Sequence, residues 1–190
     1  PSSNGVAAAA GEAAAPGIAS ANTGTSGAGY AGGWLVSPDA IVFGTGEWRA
    51  KLRVRLANLS TAAQRYAVQL GFFDTETANL QGDAAFLLYD ESTSANWQMS
   101  TAQGATRTTT ASGTAVAAAT WLRVEVVVNA AASSAEFFVD GVSLGTVATN
   151  IPSGTQKTGV GFRIHKSTGA TARTLEVDYV HARCEFTSAR

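Results

Sequence analysis

Cysteine is almost absent from this chain of 190 residues. Cys184 stands alone, so no intrachain disulfide can form. That excludes the disulfide-stapled scaffolds of small secreted domains and fits folding in a reducing compartment. Charge is also scarce: Asp, Glu, Lys and Arg make up 14% of the residues, against ~25% in an ordinary domain. The formal net charge of −1 leaves no basic footprint for neutralising phosphates, so nucleic acid is not an expected partner. No apolar run approaches the ~18 residues of a membrane-spanning helix, so no membrane partner is expected either. Proline occurs only at positions 1, 16, 38 and 152, outside the strand patterns described next.

What the chain does contain is alternation. Trp48, Ala50, Leu52, Val54 and Leu56 fall on one face of residues 47–56, while Glu47, Arg49, Lys51, Arg53 and Arg55 fall on the other. Period two over this length is the mark of a half-buried strand, and the charged set reads as a solvated sheet face. Residues 66–72 and 84–89 give two more strands. Leu122, Val124, Val126 and Val128 give another, opposite Arg123 and Glu125. Val160, Phe162 and Ile164 oppose Arg163 and His165; Leu175, Val177 and Tyr179 oppose Glu176 and Asp178. Asp140-Gly141, between Glu136-Phe137-Phe138-Val139 and Val142-Ser143-Leu144, predicts a hairpin with a type I′ turn. Cys184 lies in a strand-like stretch and reads as a small packed residue.

Many short strands with one apolar face each require a second sheet to cover them. The expectation is therefore an all-β, two-sheet antiparallel β-sandwich with Greek-key or jelly-roll wiring. Residues 1–33 are rich in Ala, Gly and Ser and are expected to form an arm or a first extended segment. The sandwich itself is expected over residues 34–190.

Three groups of residues carry a resemblance. One is Gly71-Phe72-Phe73-Asp74-Thr75. Another runs through Phe86-Leu87-Leu88-Tyr89-Asp90, Ser94-Ala95-Asn96-Trp97-Gln98 and Thr106-Arg107-Thr108-Thr109-Thr110. The last comprises Thr120-Trp121-Leu122-Arg123, Phe137-Phe138-Val139-Asp140-Gly141, Thr149-Asn150-Ile151-Pro152 and Leu175-Glu176-Val177-Asp178-Tyr179-Val180. Together they resemble concanavalin A-like (LamG or lectin-like) jelly-roll domains of bacteriophage virion proteins. The resemblance implies a non-enzymatic structural protein of the virion, a capsid decoration or a tail fibre or spike module. It implies other virion proteins and further copies of the chain as partners, in a homotrimer. It also implies exposure on the virion surface and contact with host-surface polysaccharide.

The candidate chemistry is thin. If a glycan site exists, it is expected at Trp97 with Asn96 and Gln98 and the nearby Tyr89, a flat ring flanked by amides that suits hydroxyl-rich ligands; the competing reading is that these rings pack in the core or at its rim. Trp34 and Trp121 are further aromatic candidates. Glu176 and Asp178 alternate like the paired carboxylates of a glycosidase, but the acidic residue that would complete the pattern is missing. Arg163, His165, Tyr179 and His181 could supply the neutralising residue and base of a lyase if their two strands met, though no Gln-x-His pair accompanies them. Asp74, Glu76, Asp83, Asp90 and Glu91 are loop or strand-end carboxylates without a calcium-loop pattern, and the two histidines lack zinc spacing. No catalytic residue, metal or cofactor is expected. The alternative expectation is a carbohydrate-binding module, or a polysaccharide hydrolase or lyase of the same fold.

Overall fold

The computed structural model describes residues 3–4, 6–8, 17–31, 35–75 and 82–187. The described residues form strands and connecting turns, without a helix. In chain order the strands are β1 (Ser3–Asn4), β2 (Val6–Ala8), β3 (Ala19–Asn22), β4 (Gly29–Ala31), β5 (Leu35–Ile41), β6 (Gly46–Leu56), β7 (Tyr66–Phe73) and β8 (Ala84–Asp90). They continue as β9 (Ser94–Gln103), β10 (Thr106–Ala115), β11 (Leu122–Val128), β12 (Ala135–Val139), β13 (Val142–Val147), β14 (Thr158–Lys166) and β15 (Thr174–Phe186). The first sheet has the order β1-β4-β14-β7-β8-β9-β10, with β5 also paired to β14; the second has the order β13-β12-β11-β6-β15-β3-β2. The β1–β4 pairing is parallel and the others are antiparallel. The expected two-sheet sandwich is what the chain forms.

One core fills the space between the sheets. Leu52, Val54, Val124 and Val126 of the second sheet meet Val68, Leu70, Phe72, Leu87, Phe162 and Ile164 of the first. The two outer faces differ. Strands β6 and β11 alternate between buried and half-buried or exposed residues, so the second sheet's outer face is open to water. Strands β7, β8 and β14 are buried at nearly every position. Strands β7 and β8 are accordingly apolar at most positions on both faces, as in strands covered on both sides, whereas β14 carries Arg163 and His165 on its outward face. Phe73, Ala84, Phe86, Leu88 and Ala102 form a second, smaller cluster on that outer side.

Three local features depart from simple alternation or depend on special backbone. Asp140 and Gly141 take φ of 49° and 82°, the left-handed pair a type I′ turn needs. Gly71 has φ of 139°, and a Cβ there would lie 2.8 Å from the Ala85 carbonyl oxygen, so the β7–β8 contact requires glycine. Pro38 lies inside β5, where the pairing with β14 is irregular, rather than outside the strands. An irregularity is where a residue without an N–H is tolerated.

The low-complexity start contributes to both sheets. Ala19 to Asn22 pair in register with Val177 to Thr174 of β15, and Ile18 and Ala21 are buried. Trp34, where the sandwich was expected to begin, lies outside the described residues, as does Glu76.

Candidate functional site

Strand β14 is the origin of the site. Phe162 and Ile164 face the core, so Arg163 and His165 must face out from the first sheet. Register then brings polar neighbours to them. Arg163 pairs with Gln69 and His165 with Ala67 on β7. Across β7, Gln69 pairs with Leu88 and Ala67 with Asp90 on β8. The result is a cleft of about 320 Å³ lined by Arg163, His165, Gln69 and Asp90, with Leu88 and Arg107 among its other walls.

Arg163 is only 1% exposed, and its Nη1 donates to Oε1 of Gln69 at 3.3 Å. Withdrawing a guanidinium this far from water costs several kcal/mol, and such costs cluster at functional sites. His165 is half-buried. Burial lowers its pKa from the ordinary value, the Arg163 charge lowers it further, and Asp90 opposes both. At neutral pH the imidazole is therefore uncharged and able to accept a proton. Arg107 stands over the Phe86 ring at 5.2 Å. Burial lowers its pKa, against the attraction of Asp74. Tyr66 also borders the cleft, but its hydroxyl donates to the Asn58 carbonyl. Burial, with a smaller contribution from Tyr89, holds that phenol well above its usual range. It is a structural group.

The expected glycan platform does not survive. Trp97 is fully buried and Tyr89 is 1% exposed. Their rings meet edge to face at 6.3 Å, and Tyr89 meets Tyr66 at 5.6 Å. Trp97 occupies a core-facing position of β9 and Tyr89 one of β8, so neither ring presents a face to a sugar. Gln98 does point to the outer side, next to Leu88. Its Nε2 donates to the Asp90 carbonyl at 3.1 Å, and its Oε1 accepts from Thr93 at 2.9 Å, so it braces the turn that holds Asp90. Asn96 is half-buried, and its backbone N–H donates to Ser94 Oγ.

The lyase and glycosidase sets of the C-terminal strands also come apart. Arg163 and His165 lie on the first sheet, whereas Tyr179 and His181 project from β15 on the far face of the second. Glu176 accepts from Arg55 at 2.5 Å and Asp178 from Arg53 at 2.8 Å. Both guanidinium groups lie over the Trp121 ring, at 4.8 and 5.0 Å respectively. Those carboxylates are neutralised surface partners. Asp74 accepts from the Gly82 and Asp83 N–H groups, and Asp83 accepts from Gly104; both tie loop ends together. Sequence reasoning missed Gln69, whose signal is a polar residue inside a strand that is otherwise apolar on both faces.

Fold and site together define a concanavalin-like jelly-roll domain with a basic, histidine-containing cleft on one outer sheet face. Residues 9–178 match the family model described as SO2946-like, C-terminal domain, and the chain belongs to that family. Among the solved structures that resemble it are three. The protein of unknown function SO2946 from Shewanella oneidensis MR-1 has a TM-score of 0.67 at 16% identity, over 100% of this chain and 77% of that one. The endo-β-1,4-glucuronan lyase from the fungus Trichoderma reesei has a TM-score of 0.59 at 12% identity, over 88% and 81% of the two chains. A family 7 alginate lyase, A1-II′, in complex with product has a TM-score of 0.56 at 12% identity, over 89% and 80%. At these identities the likeness establishes the fold. No curated protein matches the sequence.

The expectation of a non-enzymatic bacteriophage virion protein is overturned. Similar structures of stated function include a glucuronan lyase and an alginate lyase, and none of the comparisons links the chain to a phage.

Proposed function

We propose that the chain is a polysaccharide lyase that cleaves uronate-bearing glycans at the Arg163–His165–Gln69 cleft. The observation that carries this reading is the placement of Arg163, almost fully buried and bonded to Gln69, next to a histidine kept neutral. The polysaccharide lyases of similar fold support it.

β-Elimination from a uronate needs two things. A cation must neutralise the carboxylate so that the adjacent C–H becomes acidic, and a base must remove that proton. Arg163 is the neutralising group, with the Gln69 amide beside it. His165 takes the proton. The electron pair left behind forms the ring double bond, and the glycosidic bond to the leaving sugar breaks. The expelled oxygen takes a proton from the imidazolium, the group of matched acidity among the described lining residues. Hydrolysis by paired carboxylates is disfavoured, because Asp90 is the one carboxylate among the described residues lining the cleft.

Incubation with glucuronan and with alginate, followed by ultraviolet absorbance of the unsaturated uronate ends, tests the reading. Product from the native chain and none from His165→Ala is expected. Reducing ends without unsaturation would point to hydrolysis instead, and intact polymer in both would sink the proposal.

A further inference from the structure

The far side of the sandwich holds a second polar depression that the cleavage site does not use. It depends on a β-bulge in β15. Leu175 and Val177 face the core, so unbroken alternation would bury Tyr179 too. The pairing with β6 slips between Val177 and Tyr179, which leaves Asp178 as an extra residue, and the faces then exchange. Val180 and Ala182 pack against the core, while Tyr179 turns outward, 39% exposed. Re-aiming a side chain is a common consequence of a bulge.

Tyr179 borders a depression of about 250 Å³ shared with Lys51, Arg123 and Glu125. Register fixes the spacing. Tyr179 pairs with Arg53, and Arg53 pairs with Arg123, so Tyr179 and Arg123 stand two strand spacings apart, about 10 Å. Arg53, between them, is drawn to Asp178 and over the Trp121 ring, and it is not among the groups lining the depression. Lys51 reaches in from β6 with its side chain 44% exposed and its Nζ 3.4 Å from Glu125 Oε2. The other oxygen of that carboxylate is held by Arg49. Arg123 is exposed, and among the described residues its guanidinium enters none of the ion pairs found. The depression thus has an aromatic face on β15 and accessible cations on β6 and β11, Lys51 midway across and Arg123 at the far end, over a span comparable to a disaccharide.

We infer that this depression is a second saccharide-binding site that takes an anionic disaccharide unit, one ring stacked on Tyr179 and the neighbouring carboxylate held by Lys51 and Arg123. The apolar face of a pyranose covers an aromatic ring well, and arginine pairs with carboxylate through two parallel bonds. Because Arg163 and His165 lie on the opposite outer face, a chain bound at Tyr179 is not the segment being cut. The site tethers the domain to its polymer. This inference goes beyond the lyase reading and stands without it.

The test is an amide NMR titration of His165→Ala with tetraglucuronate, using cellotetraose as the neutral control. Shifts are expected in β15 and β11 around Tyr179 and Arg123 with the acidic oligomer and not with the neutral one. They should survive Arg163→Ala, and they should weaken at least tenfold in affinity in Tyr179→Ala and in Arg123→Gln. Both of those residues are exposed, so the variants should stay folded. Shifts at Tyr179 without any at the cleft would sink the lyase proposal and leave this one standing. No shift near Tyr179 at millimolar oligomer, or equal shifts with cellotetraose, would overturn the second site.

Discussion

His165 sets the pH behaviour expected of the cleft. Its pKa lies below the ordinary ~6.5 because burial and then Arg163 disfavour the charged form. A base must be neutral to act, so activity should rise with pH through that lowered value and reach its plateau before neutrality. Asp90 is the group pulling the pKa upward. Asp90→Asn should therefore move the acidic limb of the rate profile to still lower pH, and an NMR titration of the imidazole should show the same displacement. The linkage to stability has a definite sign. The folded form binds fewer protons than the unfolded one, so this contribution is complete above the unfolded pKa of ~6.5 and declines as pH falls below it. Arg163→Ala should lower kcat/KM by about 100-fold, the scale of losing one preorganised electrostatic contact. Arg163→Lys should restore little of it, because a lysine cannot reproduce the paired geometry of a guanidinium.

At the level of strands, the sequence foretold more than it foretold of the site, and the differences have physical causes. Charges opposite apolar residues in β6 made both its faces readable. Strand β9 was readable too: Trp97 and Met99 alternate with Asn96, Gln98 and Ser100, which by itself puts the indole inside. The sugar-platform reading weighed the ring's chemistry over that periodicity. Trp97→Ala should thus cost about 3–5 kcal/mol in a denaturant unfolding experiment, as for a core indole. The bulge in β15 left no mark, since neither glycine nor proline flanks Asp178. It inverted the face assigned to Tyr179. Arg163 and His165 were visible as the polar half of an alternating strand. Gln69 was not joined to them, because a partner 94 positions away becomes a neighbour only through the register of β14 on β7. Gly71→Ala gives a check on the neighbouring contact of β7 with β8. Its positive φ and the nearby Ala85 carbonyl imply a loss of about 1–3 kcal/mol, again read from denaturant unfolding.

The whole molecule divides its labour between two unlike sheets. One outer face is lined with paired charges and open to water; the other is largely apolar and encloses a buried cation. The early strand β3 belongs to this arrangement through its pairing with β15. A chain lacking residues 1–22 should have a lower melting temperature, measured by circular dichroism. Strand β14 is flanked by β7 along one edge and by β4 and β5 along the other. The backbone amides of Arg163 and His165 should accordingly exchange with solvent deuterium only when the entire domain opens. If the proposed cleavage holds, the denaturant concentration that halves activity should coincide with the one that halves the folded population, leaving no interval in which an inactive but still folded protein accumulates.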